Sequence, residues 1–292
     1  MMRYLFLFTL IYSLSIEAAV QLKTQSINWR GADGRGYDVF SEEEASQDIH
    51  FQVRSDEEKG PYFITCSAPN SGYERQASNG KDLLSYQIVH SAARPIPLRE
   101  GDGSYYAIAF SLQKNGLLDL SYTVSIPKGQ IVTPGSYSDS FFLILYKGRY
   151  GEHCEVSRNL VSLKIHVQSS IDISVDMQGK RFEQLSLGEL QGPQTLSFNI
   201  FVKSNSGYAL YLESENQSSL KHQGSQKNVS YQVKADGRPF NLAPGGRDIV
   251  KNLQKTGRQG RQHFVEIAVD APPCISAGSY TDSLNISAIS LD

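Results

Sequence analysis

Cysteine (3), methionine (3) and tryptophan (1) are scarce in this 292-residue chain. So few cysteines exclude a small fold stapled mainly by disulfides, and an odd count leaves at least one thiol free or paired between chains. Cys66, Cys154 and Cys274 are spaced like no zinc site. Charge of one sign is also lacking. A net charge of −2 makes no case for nucleic acid or an anionic surface. The six histidines are scattered, with no H-E-x-x-H, and no G-x-S-x-G occurs. A Cys154–His153 catalytic pair fails because adjacent residues on a strand point to opposite faces. Nothing calls for a metal or a cofactor. Asp33-Gly34-Arg35-Gly36 and Asp102-Gly103 read as plain turns. Long apolar runs are absent except at residues 4–16, behind Arg3. That run is too short to span a bilayer and reads as a secretory signal peptide, residues 1–19, of an exported protein.

The chain does have aromatics (16 Tyr, 13 Phe) and short alternating runs broken by Gly, Asn, Ser and Pro, with no sustained helical period. This predicts an all-β fold, with strands that include 37–40, 182–187 and 279–289. The strongest organising feature is an internal repeat. Ser85-Tyr86-Gln87 recurs as Ser230-Tyr231-Gln232, and Gly135-Ser136-Tyr137 recurs as Gly278-Ser279-Tyr280. The interval from Ser85 to Ser136 is 51 positions, and from Ser230 to Ser279 it is 49. Phe51-Gln52-Val53 and Phe198-Asn199-Ile200 stand upstream in the same order. Two copies are too few for a solenoid, so tandem immunoglobulin-like β-sandwiches are expected, at 20–168 and 169–292, joined by the short link Gln168-Ser169-Ser170.

The copies end differently. After Gly135-Ser136-Tyr137 the first copy adds a further alternating strand at 161–167, with Val161, Leu163, Ile165 and Val167 on one face. The second copy stops with the strand that carries Tyr280, Leu284, Ile286 and Ala288. A sandwich without its last strand exposes unpaired backbone groups and apolar core. The expected slot is lined by Ile171, Ile173, Val175, Tyr280, Leu284, Ile286 and Ala288.

The motif Gly-Ser-Tyr-[Ser/Thr]-Asp-Ser before an alternating strand, at 135–140 and 278–283, resembles the spore coat protein U domain family, which includes subunits of archaic chaperone–usher pili. The Ser-Tyr-Gln strands and the LSLGEL segment, Leu185 to Leu190, fit the same pattern. The resemblance implies incomplete sandwiches completed by a strand donated by a periplasmic chaperone and later by a neighbouring pilin, with secretion through an outer-membrane usher. Two features depart from an ordinary subunit: there are two domains, and only about eight residues (20–26 or so) precede the first strand signal. A chain that accepts a strand and cannot donate one terminates a fibre. The implied protein is a two-domain tip adhesin, exported through the periplasm to the cell surface. Family pilin domains often carry a disulfide; the second domain has Cys274 alone.

Counting strand directions back from the domain junction places 147–159, 113–116, 67–82 and 41–48 at the far end of the first domain. A Cys66–Cys154 disulfide would pin two of those loops; the alternative is two buried, unlinked cysteines. Tyr73, Arg75, Lys147, Arg149 and Tyr150, with Pro69, would offer contacts to a surface or glycan ligand. Alternatively, Tyr73 and Tyr150 pack on their own loops. The basic segment 251–261 reads as a mobile loop. Competing functions are a secreted coat or matrix protein, and an exported polysaccharide hydrolase, which requires two opposed carboxyl groups.

Overall fold

The computed structural model describes residues 20–31, 33–55, 59–67, 75–91, 93–101, 104–240, 242 and 250–291. The signal peptide, Pro69, Tyr73 and Asp102-Gly103 lie outside the described residues. The chain is all-β and forms two sandwiches, each with its own apolar core.

The first sandwich contains β1 (Val20–Lys23), β2 (Ile27–Trp29), β3 (Ala45–Ser55), β4 (Gly60–Cys66), β5 (Arg75–Ser78) and β6 (Leu83–Ser91). It continues with β7 (Arg94–Pro97), β8 (Ile108–Leu112), β9 (Leu117–Ile126), β10 (Gly135–Arg149) and β11 (Glu152–Val167). The second contains β12 (Ile171–Ser174), β13 (Pro193–Ser204), β14 (Gly207–Ser214), β15 (Ser219–His222) and β16 (Asn228–Ala235). It ends with β17 (Arg238–Phe240), β18 (Val250–Asn252), β19 (Arg261–Asp270), β20 (Tyr280–Thr281) and β21 (Leu284–Leu291).

Strand order makes the repeat physical. The path β1-β3-β9-β6-β5-β10 in the first sandwich is matched by β12-β13-β19-β16-β15-β20 in the second. The ladder β8-β4-β10 is matched by β18-β14-β21. The two sequence landmarks meet in space. Tyr86 donates its hydroxyl hydrogen to Asp139 at 2.6 Å, and Tyr231 does the same to Asp282. Burial and the carboxylate together hold both tyrosine hydroxyls above their usual pKa, so they stay protonated donors. The tyrosine of each Gly-Ser-Tyr motif also donates to a carbonyl four residues back: Tyr137 to Thr133 at 2.8 Å and Tyr280 to Ser276 at 3.2 Å. Both motifs are therefore hydrogen-bonding devices that fix the same corner of each sandwich.

Several sequence expectations need correction. Residues 147–159 are not a loop, because β10 and β11 form a long hairpin that turns between Arg149 and Glu152. Residues 37–40 contribute a single bridge from Tyr37 to Val167 rather than a strand. Residues 182–187 form no strand. Residues Val20–Lys23 form β1, with Val20 and Leu22 buried. The strand count missed β7, which reverses the chain once more between β6 and β8, while β5 continues the direction of β4 along β10. As a result the β5–β6 turn lies at the junction end, where Lys255 pairs with Asp82 at 2.8 Å. Glu42 lies there too, 3.3 Å from Arg258. The basic segment 251–261 is thus docked on the first sandwich. Within the junction, buried Asn205 accepts a hydrogen bond from the Ser170 backbone and donates to the Gln168 carbonyl, both at 2.9 Å.

Asp282 takes donors from Ser214, Asn216, Tyr231 and Ser283, whereas Asp139 takes Tyr86 and Ser140. Charge-assisted hydrogen bonds contribute about 1.5–3 kcal/mol each. Asp282→Ala should therefore lower stability by about 3 kcal/mol or more, and Asp139→Ala by less, in urea unfolding curves.

Candidate functional site: an open strand edge

β10 is paired on both edges. β11 lies antiparallel on one side, and β4 with β5 on the other. Its core-facing side chains are shut away from solvent: Tyr137, Leu143 and Leu145 are 0% exposed and Phe141 is 1% exposed. The motif alignment maps these residues onto Tyr280, Leu284, Ile286 and Ala288. Here β21 pairs with β14 on one edge, through Leu284↔Ser214 to Leu291↔Gly207. Among the described residues no strand pairs with its other edge. All four core-facing side chains are only half-buried, although they pack against the second core.

The opposite wall of the slot is β12, which pairs with β13 and leaves its outer edge without a ladder among the described residues. Ile171, Ile173 and Val175 are half-buried there, and the first two face the same core as β21. β12 lies beside β21 with no ladder between them, whereas β1 lies beside β11. Of the seven residues expected to line the slot, Ile171 and Ile173 lie on β12, Val175 just beyond it, Tyr280 on β20, and Leu284, Ile286 and Ala288 on β21. Leu187 and Leu190 also pack against this core. The LSLGEL alternation held that signal, but strand spacing alone did not indicate which core it would touch.

The second candidate region is the far end of the first sandwich, at the β10–β11 turn. Lys147 and Tyr150 are half-buried and Arg149 is exposed. Tyr150 lies 5.6 Å from Phe63 and 5.4 Å from His153 between ring centroids, so it packs on its own hairpin. Phe63, Tyr146 and His153 complete this aromatic cluster, which the sequence pattern did not single out. Burial and a hydrogen bond from its hydroxyl to Glu100 push the Tyr146 phenol up to about 12. Arg75 is elsewhere: it is buried, lies over the Phe141 ring at 5.3 Å and donates to the Ser67 carbonyl.

The Cys66–Cys154 disulfide is not formed. Cys66 lies opposite Leu143 and Cys154 opposite Lys147, on the two flanks of β10. Two strand spacings combined with four residues of rise separate them by about 16 Å, far beyond disulfide reach. Cys66 is buried in the core, while Cys154 and Cys274 are exposed.

Among solved structures, the chain is similar to the chaperone–tip adhesin pre-assembly complex of CsuC and CsuE, from archaic chaperone–usher Csu pili of Acinetobacter baumannii. The match has 14% identity and a TM-score of 0.51, over 90% of this chain and 96% of that one. It also resembles the CupB6 tip adhesin of Pseudomonas aeruginosa, at 7% identity and a TM-score of 0.38, over 92% of this chain and 94% of that one; so weak a likeness adds nothing. No family model and no curated protein matches the chain. At these identities the likeness establishes the fold: its structural neighbours are pilus tip adhesins and their chaperone complexes.

Burial pushes the Cys66 thiol up to about 12, against a smaller opposing pull from Arg75. An alkylating reagent at pH 8 should therefore label Cys154 and Cys274 within minutes in the native protein. Cys66 should be labelled only after denaturation. Mass spectrometry that finds Cys66 and Cys154 protected together would contradict this arrangement.

Proposed function

We propose that this chain is the tip adhesin subunit of a chaperone–usher pilus, exported through the periplasm to the cell surface. In this reading residues 169–292 form a pilin-like domain whose slot accepts a strand, first from a periplasmic chaperone and then, at the outer-membrane usher, from the next pilin. Residues 20–168 form the adhesin domain, which contacts a surface or glycan with the far end of its β10–β11 hairpin, where Lys147, Arg149 and Tyr150 lie. The observation that carries the reading is the burial difference between β10 and β21. Equivalent side chains are closed off where β11 is present and left half-open where nothing takes its place.

Two further observations support it. Residues Val20–Lys23 are paired with β3 as β1, so those four residues are engaged within the first sandwich. The hydrolase alternative finds little footing on the outer face of β10, β11 and β2. An open groove of about 490 Å³ there is lined by one carboxylate, Asp139, whose Oδ2 is already bound to Tyr86.

The chain contains a template for the missing strand. In β11, Val161 lies opposite Phe141, Leu163 opposite Asp139 and Ile165 opposite Tyr137. A second copy of the ten residues 158–167, appended to Asp292 through a short Asn-Gly turn, should pair with β21 in the same register. Burying its aliphatic side chains and those of β21 should raise the melting temperature of the second sandwich by about 10 °C or more. It should also convert an aggregation-prone product into a soluble monomer. No change in melting temperature or solubility would reject the slot.

A further inference from the structure

The groove on the outer face of the first sandwich runs where β2, β11 and β10 lie side by side, and its volume is about 490 Å³. β11 and β2 have no counterparts among the described residues of the second sandwich, so the groove belongs to the first sandwich alone. It passes over Ile27 and Leu163, whose side chains are buried in the core. Its exposed lining is polar. Register places Asn28, Lys164 and Ser138 in one row across the three strands, and Ser162 opposite Ser140 in the next. One row further on, Phe142 lies opposite Leu160, and these two side chains are 38% and 58% exposed.

The polar groups of this strip are unengaged. The side chains of Asn28, Ser138, Ser140 and Ser162 form no hydrogen bond with another described residue, and Lys164 forms no ion pair with one. The carboxylate is different. Oδ2 of Asp139 accepts the Tyr86 hydroxyl at 2.6 Å, and Oδ1 accepts the Ser140 N–H at 2.7 Å. Arg158 lies over the Phe142 ring at 5.5 Å, but its charge is met by Glu100 at 3.0 Å and Glu155 at 2.8 Å. The charge that the groove offers a ligand is therefore one ammonium, set among hydroxyls and bordered by an apolar step.

That combination selects a ligand class. A nucleic acid would call for several cations along the groove. A purely apolar ligand would leave the hydroxyl rows dry and unpaired. A sugar chain has hydroxyls around its rim and C–H groups on its ring faces, so it can use both parts of the strip. Rows on adjacent strands are about 4.8 Å apart, and outward residues of one strand about 6.8 Å apart, which is the scale of a single pyranose ring. A carboxylate on that ring would meet Lys164 in a charge-assisted hydrogen bond.

We propose that this groove binds an extended polysaccharide that carries uronic-acid carboxylates. A carboxylate sits on Lys164, ring hydroxyls bond Ser138, Ser140 and Ser162, and a ring face rests against Phe142. This is a second binding surface of the first sandwich, on its flank rather than at the β10–β11 turn, and it does not depend on the slot in the second sandwich.

Hexagalacturonate is the probe, and its methyl-esterified form, which keeps the ring hydroxyls and loses the charge, is the comparison. In calorimetric titration the full mature chain should bind the acid form at least about tenfold more tightly than the ester. Lys164→Gln should weaken the acid form about tenfold and leave the ester unchanged. Ser162→Trp, which fills the groove from an exposed position, should abolish binding of both forms. Both sites face solvent, so the melting temperatures of the two variants should match that of the parent chain. No binding of either form, equal binding of the two, or undiminished binding by Ser162→Trp would overturn the proposal. So would affinity that is lost in Arg149→Gln and kept in Lys164→Gln, because the saccharide would then sit at the hairpin turn.

Discussion

A β-strand has two rows of backbone donors and acceptors, and each row needs a partner or water. β21 has a protein partner for one row. The other distinctive features of the second sandwich follow from that single vacancy. Among the described residues, its β21 core-facing residues remain half-buried, the outer edge of β12 has no ladder, and residues 182–187 form no strand. The fault is not in the side chains. Leu284, Ile286 and Ala288 keep the spacing of Phe141, Leu143 and Leu145, which are buried where β11 covers one edge of β10 and β4 and β5 the other.

The duplicated fold is its own control. Both halves keep the tyrosine–carboxylate bond that ties the Ser-Tyr-Gln strand to the Gly-Ser-Tyr motif. The second half adds polar ties that the first lacks at that corner, since Asp282 gathers four donors. Its two sheets are also joined by a chain of side chains that is buried at Tyr208 and His263 and reaches the surface at Asp236. Tyr208 on β14 bonds His263 on β19 at 2.5 Å, and His263 bonds Asp236 at 2.7 Å. These bonds help hold together a sandwich whose β21 side chains stay half-buried and whose Cys274 forms no disulfide. Hydrogen bonds that are buried and charge-assisted suit that task, because their loss is costly in a low-dielectric interior.

The sequence revealed those features whose cause is periodic or repeated. Alternation marked most strands, the two motif pairs marked the duplication, and the run Val161 to Val167 marked a strand, β11, that has no counterpart among the described residues of the second half. Features that depend on partners far away in sequence were not visible. Within residues 182–187, Leu185 and Leu187 share a parity that Phe182 does not, and pairing also needs a neighbour, which pattern cannot supply. β7 is four residues long and contains two prolines, so it carries no strand signal and the count of chain reversals slipped by one, placing Glu42 and Asp82 at the wrong end. Two cysteines assigned to one end of a sandwich looked bridgeable. The register placed them on opposite flanks of β10, a distance no spacing rule could report.

The junction bears on what an open slot can do. A strand gripped by the second sandwich would load β21 and its neighbour β14. β14 leads back through Asn205 to the link at Gln168 and Ser170. The ion pairs Lys255–Asp82 and Arg258–Glu42 are partly or largely solvated, so each contributes little under physiological salt. Asn205 is different: it is fully buried, and its amide is bonded to backbone on both of its polar atoms. Hinging the two sandwiches apart would break both bonds inside a dry junction, where unsatisfied amides cost most. The buried bonds of Asn205, with those of Ser170 to Asp38 and Gln168 to Tyr37, therefore tie the link more firmly than the solvated charges do. Force entering at the slot would be transmitted to the first sandwich instead of being absorbed by a flexible linker.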